Sequence, residues 1–265
     1  MVDAVERAAD LLLEARRDPA SRLRDLPPDL RPADEAAAYA IQRAVTDQLG
    51  PVVGWKVAPL DAEGHSACSP LTAKLVVSGP AVLSSGRFVL RGVEAEVAVK
   101  LGRDLPPRAT PYSREEVAEA IAAFLPAIEV LESRYAEPSA VSRLSGLADH
   151  QTNGLLVVGA PVSDWRAIDL AGESVIQRVD GAEDATRTGM PGGDLLGEVV
   201  WLANIGSTWA GGLLAGQVVT CGSWSGSHRV GPEARVEVEF SHVGRVELAF
   251  APGPVGGAEI SGFRG

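Results

Sequence analysis

The chain has 265 residues and a formal charge of −11 at pH 7, with 46% apolar and 5% aromatic residues. That length suits one large domain with a substantial core, and the acidic balance excludes nucleic acid and anionic membrane as partners. Cys68 and Cys221 are too few and too far apart for a disulfide framework or a thiolate metal motif. No apolar run reaches membrane-spanning length, and the charged start Met-Val-Asp-Ala-Val-Glu-Arg is unlike a signal peptide, so a cytoplasmic protein is expected.

In chain order, amphipathic helices are predicted over 3–17 and 33–49, the second started by Pro32 and Asp34 and closed by Gly50-Pro51. Residues 52–57 form a short apolar strand carrying Lys56, and the polar, Gly/Pro/Ser-punctuated stretch 59–74 reads as a loop. Strand-like pieces follow at 75–77, 81–83 and 87–90. Val93, Ala95, Val97 and Val99 then alternate with Glu94, Glu96, Ala98 and Lys100, the period of a half-buried strand. Glu94 and Glu96 project from one face of it, about 7 Å apart. The pair is either the solvated face of an edge strand or two ligands of a hard divalent ion such as Mg²⁺.

Ser113-Arg114-Glu115-Glu116 is a capping box opening a helix of about a dozen residues that stops before Pro126. Residues 127–132 form a strand with Glu129 among apolar neighbours, and a buried carboxylate is costly unless paired or liganded. Residues 135–148 are loop or short helix, and the polar cluster Asp149-His150-Gln151-Thr152-Asn153 precedes a strand over 155–158. Strand continues at 173–180, Gly192-Gly193-Asp194 caps a long helix through about Leu214, and strands at 217–220, 234–240 and 245–250 close the chain. Helices at the front and strands after them predict an α+β fold on a rolled mixed sheet. It is read as one domain over 1–265, helical to about 50 and β-rich from about 51.

Gly54-Trp55-Lys56-Val57, Val93-Glu94-Ala95-Glu96-Val97, Leu101-Gly102-Arg103-Asp104-Leu105, Ala127-Ile128-Glu129-Val130-Leu131-Glu132-Ser133-Arg134, Val200-Trp201-Leu202-Ala203-Asn204 and Leu214 to Gly226 together resemble the 2-keto-4-pentenoate hydratase family. This family belongs to the fumarylacetoacetate hydrolase superfamily, which also includes 4-oxalocrotonate-type decarboxylases. The resemblance spans about residues 50 to 250 and implies a fumarylacetoacetate hydrolase-like mixed β-roll with N-terminal helices. It further implies that Glu94, Glu96 and Glu129 hold Mg²⁺ or Mn²⁺, leaving coordination positions open for a chelating 2-oxo acid.

Lys56 reads either as a surface lysine whose stem covers the core or, as the resemblance implies, as a catalytic proton relay whose pKa burial beside a cation would lower. His150 stands where the family usually has an Asn, so it is either a structural histidine at a strand entrance or a second catalytic group. Ser223, Trp224 and Ser225 are assigned to substrate binding through backbone N–H groups of the Gly/Ser-rich stretch 220–226, with a plain turn as the alternative, and Gln151 is assigned to substrate binding beside them. One departure is clear. Where the family carries a Glu-Pro-Asp-Tyr-Gly-like stretch, this chain has Ser69-Pro70-Leu71-Thr72-Ala73, without a carboxylate, so His150 or Glu63 is the candidate base.

The expected activity is hydration of a 2-hydroxypenta-2,4-dienoate-like acid in the catabolism of aromatic compounds. Decarboxylation of a 4-oxalocrotonate-like acid is the alternative, followed by a hydrolase or isomerase reaction or a non-catalytic partner subunit. A homo-oligomer is expected, with a complex with a pathway enzyme as a further option.

Overall fold

The computed structural model describes residues 3–59, 62, 65–190, 192 and 194–253, with the backbone of 261–262. Glu63 lies outside the described residues. Helix α1 (Ala4–Arg17) and helix α2 (Glu35–Leu49) fall where predicted, and the Asp34 side chain accepts the Ala37 N–H to cap α2. Gly50 at φ +114° ends α2, a conformation that the following Pro51 leaves no helix to extend. Strand β1 (Val52–Val57) follows, then β2 (Cys68–Thr72), β3 (Val76–Ser78), β4 (Ala81–Ser84) and β5 (Gly92–Leu101). Helix α3 (Arg114–Ala120), strand β6 (Ile121–Leu131), helix α4 (Arg143–Ala148) and strands β7 (Asn153–Val158), β8 (Ser174–Val179) and β9 (Ala182–Thr188) come next. Helix α5 (Leu195–Trp201) and strands β10 (Val218–Cys221), β11 (His228–Arg229), β12 (Arg235–Phe240), β13 (Gly244–Ala251) and β14 (Ser261–Gly262) complete the order.

Two mixed sheets make up the β-rich part. One runs β2-β1-β10-β5-β6-β7-β3, with β11 paired to β5, and the other runs β14-β4-β13-β12-β8-β9. The edge strands β2 and β3 of the first sheet are separated by only residues 73–75, so the sheet rolls up without closing. Its convex face carries Val93, Ala95, Val97 and Val99 of β5 into the main core, against Val236, Val238, Val246 and Leu248 of the second sheet. Burial of each such side chain contributes about 1.5–3 kcal/mol. The concave face has its own apolar floor of Leu71, Ala98, Leu125, Ala127, Leu156 and Val218. Helices α1, α2 and α4 pack through Leu12, Leu13, Ile41, Val45 and Leu147.

Five local readings are corrected. The predicted loop 59–74 contains β2, and its Pro70 is tolerated because β2 is an edge strand. Residues 87–90 are not a strand, since the Val89 and Leu90 amides are taken at 2.6 and 2.9 Å by Oε2 of Glu132. The capping box at Ser113 is formed, but α3 has only seven residues, because Ile121 onward pairs along β5 as far as Leu101, placing Pro126 inside a strand. The hairpin strand β9 is nearly all polar and exposed, and only the turn Asp180-Gly181, at φ +52° and +82°, signals it. Helix α5 also has seven residues rather than about twenty. A π-helical turn at Leu202–Gly206 succeeds it, where Gly206 lets Cys68 approach: a Cβ there would lie 2.9 Å from the Cys68 sulfur.

Candidate metal centre and active site

Strand register gathers the site. Glu94 pairs with Glu129 across β5 and β6, Thr220 with Ala98 across β10 and β5, and Lys56 with Thr220 across β1 and β10. Side chains two apart on a strand share a face, so Glu94, Glu96, Glu129, Thr220 and Lys56 all project from the concave face of the roll. One oxygen from each of the three carboxylates lies within 4.8 Å of the others. Among the described residues no fourth acidic, His or Cys group joins them.

Glu96 and Glu129 are buried, at 1% and 0% exposure, and Glu94 is half-buried. Burial, and then the neighbouring Glu129, pushes Glu94 up to about 7 and Glu96 well above the ordinary carboxylate value. Oε2 of Glu129 is buried with no hydrogen-bond partner among the described residues. A buried carboxylate oxygen without a donor, inside a ring of like charge, fits a hard divalent cation with oxygen ligands. Glu96 and Glu129 are also oriented from behind: Thr220 bonds Oε2 of Glu96, and Asn153 donates to Oε1 of Glu129 at 3.1 Å.

Lys56 Nζ donates to Glu129 Oε1 at 2.9 Å and to the Gln151 carbonyl at 3.2 Å, with only 14% of its side chain exposed. Burial by itself would lower its pKa, but Glu129, Glu94 and Glu96 together outweigh burial and hold the ammonium above the usual lysine value. That direction belongs to the carboxylates without a cation among them, whereas the lowered value expected from the sequence was for Lys56 buried beside a bound cation.

The Gln151 carbonyl reaches Lys56 because of an unusual turn. His150, Gln151 and Thr152 have φ of +55°, +53° and +60° in succession, a left-handed run that costs about 1–3 kcal/mol per residue. Surrounding bonds compensate. Arg134 pairs with Asp149, the Glu132 amide donates to the Thr152 carbonyl at 2.8 Å, and Ser69 Oγ donates to Gln151 Oε1 at 2.8 Å. Gly154 closes the turn, where a Cβ would meet the Val130 carbonyl at 2.6 Å. Ser69 faces Lys56 in the β1–β2 register and accepts from Gln42 at 3.1 Å, so a hydroxyl network occupies the position of the missing acid.

His150 is not brought to the carboxylates. Its Nε2 lies 3.0 Å from Thr46 Oγ1 of α2, and it is 1% exposed. Burial, then Arg16 and Arg134, depresses its pKa well below the ordinary value, so the ring is neutral at neutral pH. We therefore expect His150→Asn to leave turnover and the pH–rate profile unchanged while costing no more than about 1 kcal/mol of stability. Asn tolerates the left-handed backbone. Kinetics across pH check this, and loss of a limb near neutral pH in the variant would restore His150 as a base.

The residues assigned to substrate binding make protein contacts of their own. Trp224 is fully buried and packs edge-on against Phe240 at 5.4 Å, while its amide donates to the Ala95 carbonyl at 2.7 Å. Ser225 Oγ accepts the Ala95 amide at 2.9 Å and donates to Gln177 Oε1. These two residues clasp the backbone between Glu94 and Glu96 and so aim the ligands. Ser223 accepts the Gly226 amide at 3.0 Å, and Gln151 contributes its carbonyl to Lys56. Thr220, Asn153, Ser69 and Gln42 were missed as supporting residues. Only register could have found Thr220 and Ser69, and Gln42 reads as one polar residue on an amphipathic helix. A cleft of about 790 Å³ opens beside the loop after β1, with Tyr39, Arg43, Trp201 and Trp209 in its walls, and the three carboxylates do not line it.

The fumarylacetoacetate (FAA) hydrolase C-terminal family model matches residues 71–251. "2-keto-4-pentenoate hydratase 2" of Dechloromonas aromatica (strain RCB) is 29% identical over 94% of this chain and 98% of its own length. "2-keto-4-pentenoate hydratase 1" of the same organism is 27% identical over 94% and 97%. Among solved structures, a 4-oxalocrotonate decarboxylase from Pseudomonas putida G7, complexed with magnesium and adipate, superposes with a TM-score of 0.81 at 20% identity, over 93% of this chain and 97% of that one.

Proposed function

This chain belongs to the fumarylacetoacetate hydrolase family, and from that premise we propose that it is a metal-dependent hydro-lyase acting on a 2-hydroxypenta-2,4-dienoate-like acid. The observation that carries the reading is Lys56 Nζ, 2.9 Å from Glu129 in a cluster of three carboxylates on one concave face. Whole-length likeness to two hydratases supports the reaction class. Glu94, Glu96 and Glu129 would hold Mg²⁺ or Mn²⁺, which supplies a Lewis acid for the 2-oxo carboxylate end of the substrate.

The chain's own groups do the rest. Lys56, 2.9 Å from Glu129, donates a proton to C5 of the dienol and recovers one from the C2 hydroxyl, giving the α,β-unsaturated ketone. Water then adds across C3 and C4, with hydroxyl at C4 and a proton at C3. Gln151 fixes the direction of the ammonium through its carbonyl. Decarboxylation of a 4-oxalocrotonate-like acid is the second reading, favoured by one observation: Ser69, not a carboxylate, faces Lys56. That reaction needs the same electron sink but no activated water.

The test is turnover with Mg²⁺ or Mn²⁺. Loss of dienol absorbance from 2-hydroxypenta-2,4-dienoate without gas release, with 4-hydroxy-2-oxopentanoate formed, is the expected result. Release of CO₂ from 4-oxalocrotonate, with the dienoate untouched, would move the assignment to the second reading. No turnover of either acid by metal-loaded protein would overturn both.

A further inference from the structure

Away from the carboxylate face, arginines converge where α1 meets the end of β6. Arg16, Arg22, Arg87 and Arg134 surround a cavity of about 20 Å³, with Glu132 and Asp149 as the nearby acids. Both acids are already engaged. Glu132 pairs with Arg22 and accepts the Val89 and Leu90 amides, and Asp149 pairs with Arg134 and accepts from Ser133. Arg134 also donates to the Asn153 and Asp149 carbonyls, at 2.8 and 2.6 Å. Two guanidiniums are left over, both half-buried. Arg16 Nη2 is buried with no acceptor, and Arg87 lies over the Phe88 ring, 5.4 Å away, with no ion pair, among the described residues. In a chain of net charge −11, this is a local excess of positive charge with one buried donor, Arg16 Nη2.

We propose that this cavity binds one small inorganic anion of about chloride's size, held by Arg16 and Arg87 and tying α1 to the end of β6. A buried donor without an acceptor, here Arg16 Nη2, calls for a specific explanation. Guanidinium groups are the side chains best suited to share an anion. The volume is that of about one water-sized body, which suits a small ion. Depressed pKa values at Arg16, from burial and then Arg134, and at Arg87, from burial, agree with missing counter-charge.

Thermal unfolding of the full chain in sodium chloride, bromide and gluconate at equal ionic strength tests this. A saturable rise in Tm of roughly 2–4 °C in halide over gluconate is expected, and its loss in Arg16→Gln and Arg87→Gln. In gluconate those variants should melt at or above the parent, since each removes an uncompensated charge. A crystal of the parent soaked in bromide should show an anomalous peak between Arg16 and Arg87, a readout that needs no variant. Equal Tm in halide and gluconate, or a halide shift that survives in both variants, overturns the proposal. So does a cavity holding water, or a carboxylate of a second copy, in place of bromide.

Discussion

Glu129→Gln is expected to weaken Mg²⁺ or Mn²⁺ binding by more than about 100-fold, with loss of turnover and no loss of fold. Losing an outer-shell partner of a metal ligand typically costs 10–100-fold in affinity, and Glu129 is proposed as a ligand itself. Gln is nearly isosteric, so the strand pairing with Glu94 and the apolar floor around Leu156 are kept. The metal-free protein should be no less stable, because the substitution removes one of three crowded charges that hold Glu94 and Glu96 above their ordinary values. Calorimetry of metal binding, with thermal unfolding in chelator, reads both effects. Unchanged metal affinity in Glu129→Gln and in Glu94→Gln would remove the metal site.

Lys56→Ala is expected to lower turnover by about 10²- to 10⁴-fold, the usual cost of losing a proton-transfer group. Metal should bind at least as tightly as in the parent, because the variant removes a cation 2.9 Å from Glu129. This opposition separates a proton relay from a merely structural lysine. Lys56→Arg sharpens it: the guanidinium restores charge beside Glu129 but does not exchange its proton at neutral pH, so turnover should stay low. Single-turnover kinetics with a metal titration on each variant measures it. Full activity in Lys56→Arg would assign Lys56 to charge balance alone.

The three carboxylates stood out in the sequence for a local reason, whereas Lys56 stood out only through the family resemblance. A two-residue alternation puts Glu94 and Glu96 on one face whatever surrounds them, and Glu129 in an apolar strand declares a carboxylate in need of compensation. Helix starts at Asp34 and Ser113 were legible likewise, because a cap is a contact within three residues. Long-range pairing set the ends of α3, where β5 drew Ile121 onward into a strand.

Side-chain direction in the polar cluster was decided by tertiary structure alone. His150 and Gln151 are adjacent in sequence, and three left-handed residues turn the His150 ring to Thr46 of α2 while the Gln151 carbonyl meets Lys56. Such a backbone is held only by distant groups such as Asp149 with Arg134 and Ser69, and no local propensity encodes it. Trp224 and Ser225 look like site residues from their Gly/Ser setting, yet the Ala95 backbone claims both. Period put Glu94 and Glu96 on one face and composition marked Glu129, while register and hydrogen-bond competition decided which polar side chains face them.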